Sequence, residues 1–328
     1  MKAIIHSKYG STKNLKLEEV EKPKPKANEV LVKIYASSVN SWDWDLVQGR
    51  PIIYRLIFGL FKPKFKIIGC DIAGRIESLG ANTQQFKVGD DVFGDVSGCG
   101  FGAFAEYVCV PENLLAIKPS NATFEQAAAM PQGAILALQS LQHKKDIKPE
   151  HHILINGAGG SMGPFALQMA KLYGAKVTCV DSSQKLEMLR SLRADHVIDY
   201  TKVDFTKSGQ QYDLIIEPVA NRSIFKYKRA LNKNGVYIVA GGKVRRIFQT
   251  LFIGSLISMI TDKKMKILMH KPNQKDLNVL KNLFEEGKLK SIIDKTYPFN
   301  EIPDAIQYYG EGKAVGKVVI KIDHNGKS

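Results

Sequence analysis

The run His151-His152-Ile153-Leu154-Ile155-Asn156-Gly157-Ala158-Gly159-Gly160-Ser161-Met162-Gly163 carries the strongest chemical signal in the chain. A short apolar segment ends in a glycine cluster, and a helical pattern from Pro164 to Tyr173 follows at once. In the order strand, glycine turn, helix, such a turn suits a pyrophosphate. The helix start offers unpaired N–H groups and the positive end of a dipole, and glycines let phosphates come close to the backbone. Gly157, Gly160, Ser161, Met162 and Gly163 are therefore candidates for holding the diphosphate of a dinucleotide. Lys176 to Val180 reads as the next strand and ends on Asp181, near the offset of about 20 residues at which an acid meets the adenosine ribose.

The residues after that strand leave the choice of dinucleotide open. A carboxylate at Asp181 accepts from ribose hydroxyls and repels a 2′-phosphate, which favours NAD. Ser182, Ser183 and Lys185 place two hydroxyls and an ammonium within one turn, a set that suits the extra phosphate of NADP. NADP and NAD both stand.

For these side chains to converge, the central third has to alternate strands with helices. The pattern reads strand 153–156, helix 164–173, strand 176–181, helix 184–192, strand 196–199, strand 213–217, helix 222–231 and strand 236–240, with a last strand at 266–269 and a helix at 276–286. This alternation predicts a parallel, doubly wound sheet. The first 120 or so residues differ. Strands at 2–5, 29–36, 70–80 and 103–110 are separated by turn signals such as Gly89-Asp90-Asp91 and Pro119-Ser120. Thr123-Phe124-Glu125-Gln126 reads as a capping box, and Gly133 to His143 as a further helix. Residues 315–322 return to a β pattern and are expected to rejoin the first domain. Arg193 stands where a helix end usually has glycine, so a left-handed arginine is expected, at a cost of about 1 kcal/mol.

Among the 328 residues, 47 are basic and 32 acidic, for a net charge of +15. No compact basic tract with interleaved aromatics occurs, so nucleic acid is not the expected partner. Four cysteines (Cys70, Cys99, Cys109 and Cys179) without CxxC pairing point to a reducing compartment, and the cytoplasm is the expected location. Met1 to His6 lacks the apolar core of a signal peptide, and no run reaches the roughly 18 apolar residues of a membrane span.

Gly69-Cys70-Asp71-Ile72-Ala73-Gly74, Val88-Gly89-Asp90-Asp91-Val92-Phe93-Gly94, Gly102-Ala103-Phe104-Ala105-Glu106-Tyr107, the 157–163 glycines and Ala194-Asp195-His196-Val197-Ile198-Asp199-Tyr200 occur in an order that resembles the medium-chain dehydrogenase/reductase superfamily. The resemblance covers essentially the whole chain and points to the zinc-free quinone oxidoreductases and enone reductases. It implies an α/β protein: a GroES-like, β-rich catalytic domain (1–122), a doubly wound Rossmann NAD(P)-binding domain (123–287) and a C-terminal return to the catalytic domain (288–328). The cofactor is then expected in the cleft and the chain as a homodimer.

Zinc-dependent relatives carry Gly-His-Glu where this chain has Gly69-Cys70-Asp71, and a cysteine ligand where Asn40 stands; their four-cysteine lobe is missing. No metal is expected. The implied chemistry is hydride transfer from NADPH or NADH to a quinone or an α,β-unsaturated carbonyl, with donors stabilising the developing enolate. Val39-Asn40-Ser41-Trp42-Asp43 resembles the family's V/I-N-x-x-D motif, which implies that Asn40 touches both nicotinamide and substrate. Its neutral amide can donate to a carbonyl oxygen. A turn cap is the alternative for Asn40, and a helix cap is the expectation for Asp43. Where this branch often has tyrosine, the chain has Asp45, so Tyr54 is the candidate proton donor, with pocket wall or surface as the alternative. Leu136 replaces a frequent threonine near the nicotinamide. Tyr200, Val219, Gly241 and Gly242 carry over as further cofactor contacts.

Val244 to Ile260, followed by Thr261-Asp262-Lys263-Lys264, is apolar with basic flanks and too short to span a bilayer. A buried subunit or pocket element is expected there, and a weak contact with an anionic lipid surface stays open. With Ile52 to Phe65 it predicts a small apolar, electrophilic substrate. Two other readings of function remain: a zinc-free alcohol or aldehyde oxidoreductase, and a crystallin-like or RNA-binding protein with bound cofactor and little turnover.

Overall fold

A computed structural model describes residues 1–324. The chain opens with β1 (Lys2–His6), β2 (Leu15–Glu19) and β3 (Glu29–Val39), followed by α1 (Ser41–Gln48) and α2 (Ile53–Phe58). Next come β4 (Asp71–Leu79), β5 (Asp91–Asp95), β6 (Tyr107–Pro111), β7 (Leu115–Ile117), α3 (Phe124–Ala128) and α4 (Pro131–Gln142). The alternating part holds β8 (His152–Asn156), α5 (Gly163–Leu172), β9 (Lys176–Asp181), α6 (Leu186–Ser191), β10 (His196–Asp199), β11 (Tyr212–Glu217), α7 (Ile224–Ala230) and β12 (Leu231–Val239). It closes with α8 (Val244–Gln249), a π-helical turn (Thr250–Gly254), α9 (Ser255–Ile260) and β13 (Lys264–Ile267). Then follow α10 (Gln274–Glu285), β14 (Ile293–Pro298), α11 (Ile302–Gly310) and β15 (Lys317–Lys321).

The chain forms two compact units, one of residues 1–132 together with the chain from 271 onward, the other of residues 133–270. These divisions fall about ten residues after the expected 122/123 boundary and well before the expected 287/288 boundary. The reason is packing. α3 lies on β3 and β4, and α10 lies beside β7. Glu285 at the end of α10 accepts from the Ser120 backbone N–H at 2.9 Å. Both helices therefore belong with the β-rich unit.

In that unit the 11-residue β3 is the organising strand. It pairs antiparallel with β4, β6 and β15, and β14 lies parallel on the far side of β15. The C-terminal β pattern thus returns to the first sheet, and places Val318 opposite Val39. Val32, Ile34, Ile72, Phe104, Val318 and Ile320 belong to its buried core.

In the second unit the strands lie parallel in the order β10-β9-β8-β11-β12-β13. Numbered along this unit the order is 3-2-1-4-5-6, the doubly wound Rossmann arrangement, which reverses direction between β8 and β11. β8, β9 and β11 are buried along nearly their whole length, as strands covered on both faces require. Helix ends agree with the sequence expectation to within a few residues. Arg193 is left-handed, with φ of 65°, so the Ala194 N–H reaches back to the Leu189 carbonyl at 3.1 Å and closes α6.

Candidate active site

At the reversal point of the parallel sheet, β8 and β11 are tied by a buried polar knot. Asn156 ends β8 and donates through Nδ2 to Glu217 Oε2 at 2.7 Å. Glu217 ends β11, and its Oε1 accepts from the N–H groups of Val219 (2.9 Å) and Ala220 (2.6 Å). The Tyr227 hydroxyl shares a further hydrogen bond with Oε2. Burial pushes the Glu217 carboxyl up, and these four hydrogen bonds hold it down against that push. The knot fixes where Val219 stands, and the glycine turn is shaped around it. Gly157 has φ of 77°, and a Cβ there would lie 2.4 Å from Val219 Cγ2. A Cβ on Gly242 would lie 2.0 Å from the Val219 carbonyl oxygen.

Gly163 begins α5 so close to the turn that a Cβ would stand 2.2 Å from the Ala158 carbonyl oxygen. Gly160 is different, since its nearest neighbour would be 3.6 Å away. Beside it, the Ser161 hydroxyl is buried and has no partner among the described residues. The first-turn N–H groups of α5 likewise lack intrahelical acceptors by geometry. An orphan hydroxyl, free N–H groups and a helix N-terminus at one turn fit a diphosphate.

Asp181 ends β9, buried, and braces this turn. Its Oδ2 accepts from the Gly159 N–H at 2.7 Å and its Oδ1 from the Ser182 N–H at 2.8 Å. The Lys185 stem lies over Gly159, where a Cβ would meet the lysine Cβ and Cδ at 2.6 Å. Its ammonium makes no ion pair among the described residues. Ser183 is engaged, its hydroxyl bonded to Asp199, whereas the Ser182 hydroxyl has no partner among the described residues. Tyr200 is exposed just after β10, and its N–H donates to the Asp181 carbonyl at 3.1 Å. Gly157, Gly160, Ser161, Met162, Gly163, Asp181, Ser182, Lys185, Tyr200, Val219, Gly241 and Gly242 thus all lie at the C-terminal ends of the parallel strands, where ligands of such sheets bind.

The β-rich unit holds a second polar cluster. Asn40 follows β3 and is the N-cap of α1; Asp43 Oδ2 accepts the Asn40 N–H at 2.8 Å and Oδ1 the Gly69 N–H at 3.1 Å, so Asp43 caps as expected. Burial raises the Asp43 carboxyl to about 8 against those bonds and against Lys317, with Asp71 pushing the same way as burial. The Asn40 amide was expected to face a substrate carbonyl. Its Nδ2 donates to Asp71 Oδ2 at 2.9 Å and more weakly to the Ser38 carbonyl at 3.4 Å. Its Oδ1 accepts from Lys317 Nζ at 2.6 Å. A buried amide must satisfy both ends, and here both are satisfied within the protein.

Asp71 is the hub. Its Oδ2 also accepts from Ser38 Oγ (2.7 Å) and Lys317 Nζ (3.1 Å), and its Oδ1 accepts from the Gln132 N–H (2.8 Å). Lys317 is only 1% exposed, although in the sequence it reads as one more residue of a β pattern. The available signal was a lysine directly before the apolar run Val318-Val319-Ile320, in a strand whose other lysine, Lys321, is exposed. The Gln132 amide nitrogen is buried without a partner among the described residues, and is the donor this cluster leaves free.

Around Tyr54 the rings of α1 and α2 gather. Trp42 and Tyr54 lie near-parallel at 17° with centroids 6.1 Å apart, and Phe58 meets Trp42 edge-on at 5.7 Å. Phe101 and Phe65 extend the group, 5.0 Å apart. The Tyr54 hydroxyl makes no hydrogen bond among the described residues, and burial, then Asp45, raises its pKa. Asp45, one turn along α1 from Trp42, also has no partner there, and burial lifts its carboxyl to about 7. Among the described residues no hydrogen bond joins Tyr54 to the Asn40 cluster.

The donor set at Cys70 does not suit a metal dication. Burial and the acids Asp43, Asp95 and Asp71 push the Cys70 thiol well above its usual range, so it keeps its proton. The Lys317 ammonium already pairs with Asp71 and with the oxygen of Asn40. Among the described residues no group of three His, Cys, Asp or Glu is placed to hold a metal. Nor is any helix there long and apolar enough to cross a membrane.

Two protein families match the chain: the alcohol dehydrogenase GroES-like domain over residues 26–120, and a family described as zinc-binding dehydrogenase over residues 192–320. The chloroplast envelope quinone oxidoreductase homolog of Arabidopsis thaliana is 30% identical, over 98% of this chain and 98% of that protein. The NADPH-dependent alkenal/one oxidoreductase of the Arabidopsis thaliana chloroplast is 33% identical, over 98% of this chain and 79% of that protein. Among solved structures, the quinone oxidoreductase from Coxiella burnetii superposes with a TM-score of 0.89 at 26% identity, covering 98% of this chain and 99% of that one.

Proposed function

The chain belongs to the medium-chain dehydrogenase/reductase superfamily, in the branch of its quinone oxidoreductases and enone reductases, and on that premise we propose that it is a zinc-independent NAD(P)H-dependent reductase of quinones and α,β-unsaturated carbonyls. The observation that carries the cofactor reading is the orphaned Ser161 hydroxyl at the start of α5, inside a glycine turn at the reversal point of the parallel sheet. A bound reduced nicotinamide supplies the hydride. The protein's own part is to bind, orient and stabilise charge.

The turn from Gly157 to Gly163 holds the diphosphate, and Ser182, Lys185 and Tyr200 meet the adenosine ribose. With both Asp181 oxygens accepting backbone N–H groups and the Lys185 ammonium unpaired, NADPH is the preferred form in this reading. In the catalytic unit, the rings of Trp42, Tyr54 and Phe58 hold a planar apolar acceptor. Tyr54 keeps its proton at neutral pH, as its raised pKa supports, and can deliver it to a reduced substrate. Asn40 positions Lys317 and Asp71 rather than touching substrate, and the Gln132 amide is the spare donor. The match to a family described as zinc-binding does not carry zinc to this chain, because the residues at Asn40, Cys70 and Asp71 do not fit it. The four unpaired cysteines support a reducing compartment such as the cytoplasm.

The test is steady-state oxidation of NADPH and NADH with benzoquinone and 2-alkenal panels, with and without a chelator. Turnover that survives chelation, with an NADPH advantage that shrinks in Lys185→Ala, is the expected result. Activity that appears only on adding zinc, or with alcohols and NAD(P)⁺ alone, overturns the reading.

A further inference from the structure

The polar cluster of the β-rich unit contains a glutamine whose amide nitrogen is idle. Gln132 is the second residue of α4 (Pro131–Gln142) and is only 2% exposed. Its backbone N–H donates to Asp71 Oδ1 at 2.8 Å, while Asp71 Oδ2 accepts from the Asn40 amide at 2.9 Å. One carboxylate thus carries Gln132 on one oxygen and Asn40 on the other. The Gln132 Nε2 is buried and has no partner among the described residues. Leaving such a donor unmet costs the resting protein free energy. A methionine would fill a side chain of similar length without that cost.

An amide nitrogen donates and does not accept, so what Nε2 can meet is an acceptor atom. Its surroundings favour an oxygen that gains negative charge. The start of the 12-residue α4 sets the positive end of a helix dipole behind it. Both Asp71 oxygens are already occupied, and the Lys317 ammonium on Oδ2 compensates that carboxylate. A surface for a planar molecule starts from the same cluster. Asn40 is the N-cap of α1, and two residues further along stands Trp42, whose ring lies against Tyr54, Phe58 and Phe101. An idle donor and an aromatic shelf, tied together through Asn40, suit a conjugated carbonyl compound. The rings cover its flat body and the amide meets its oxygen.

We propose that the Gln132 side-chain amide is a catalytic residue, donating to the carbonyl oxygen of the acceptor and holding the negative charge that gathers there. This role rests on the reductase reading above and names the group that polarises the substrate. As hydride bonds to the β-carbon, the C=C electron pair moves to join the α-carbon to the carbonyl carbon, and the C=O π pair moves onto oxygen. The amide proton stays on nitrogen throughout, and its hydrogen bond to the enolate oxygen strengthens with the charge. The α-carbon then takes a proton, with Tyr54 as donor, and the carbonyl re-forms.

The experiment compares the full chain with Gln132→Met and Gln132→Glu. Gln132→Met is expected to lower kcat for 2-alkenal reduction about a hundredfold, while the NADPH dissociation constant stays within about twofold. Its thermal midpoint should equal or exceed that of the wild type, because Nε2 gives up no hydrogen bond. Gln132→Glu keeps the length but replaces the donor by an acceptor, and should lose at least as much turnover. A readout that needs no turnover is the absorbance of 4-nitrophenol, a planar enolate mimic, titrated with NADP⁺ present. Its bound phenolate band is expected to persist to about one pH unit below its range in water, and to lose that advantage in Gln132→Met. Wild-type kcat in Gln132→Met overturns the role of Gln132 and leaves the reductase reading standing. Weakened NADPH binding with kcat intact overturns it too, by giving the donor to the cofactor. A lowered thermal midpoint with the phenolate preference retained makes the residue structural. A wild-type chain that reduces no acceptor overturns the reductase reading and this role together.

Discussion

Lys317 is the residue whose loss should be felt most. It is a buried cation between Asp71 and Asn40, and removing one partner of a buried pair leaves the other charge uncompensated. Lys317→Met is expected to destabilise the protein by about 3–5 kcal/mol in urea unfolding, and adding Asp71→Asn should recover part of that. If Lys317→Met unfolds at the wild-type midpoint, the pair carries no such weight. Asp45 works in the opposite sense. Its folded pKa of about 7 lies above the ordinary carboxylate value of 3.8, so the folded state holds the proton more tightly than the unfolded chain. The stability this contributes is present below about pH 4 and lost as pH rises through about 7. Asp45→Asn should therefore raise the thermal midpoint at about pH 8, on the order of 1 kcal/mol, and do little at about pH 4. An equal shift at both pH values would refute this assignment. These roles were the least legible features of the sequence. Asn40 stands out beside Trp42 and Asp43, but the partners that occupy its amide lie 31 and 277 residues away. No local pattern announces them.

Elements were easier to read where their logic is local. The glycine turn needs only a strand before it and a helix after it, and both were visible. Gly157 is the sharp case: a left-handed φ and a Cβ only 2.4 Å from Val219 together forbid a side chain. Gly157→Ala is expected to cost about 1–2 kcal/mol in stability, and to weaken NADPH binding at least about tenfold in a fluorescence titration. Retained affinity would show that the turn does not form the diphosphate site. β14 and α11 gave weaker signals. β14 carries Asp294, Lys295 and Pro298 and sits at the sheet edge, where alternation need not be apolar. α11 opens with Pro303, a helix start that also reads as a break. The segment 244–260 was legible as apolar and helical. That its apolar side faces outward depends on how wide the face is after the π turn, which periodicity alone does not fix.

At the scale of the molecule, the alternation of strands and helices made the parallel sheet legible, and the β-rich flanks made the second unit legible. The unit boundaries were not, because α3 and α10 resemble the helices of the parallel unit and are claimed by the other through packing. The β-rich unit is built from both flanks of the chain, with β15 seated between β14 and β3. Ending the chain at Ala314 should therefore strip the partner from residues Ala36–Val39 of β3 and abolish reductase turnover. Residues 133–270 should survive limited proteolysis as a protected fragment. Uniform digestion of both units would show that they fold as one.

Because synthesis runs in one direction, that interleaving sets a timetable. The parallel unit leaves the ribosome complete while the neighbouring sheet still shows a bare strand. Only when residue 317 emerges does the ammonium arrive that Asp71 and Asn40 have been awaiting. A prematurely terminated translation product would then offer a nucleotide fold attached to a half-built catalytic sheet with an uncompensated acid at its heart. Quality-control proteases could tell such a product from a finished chain.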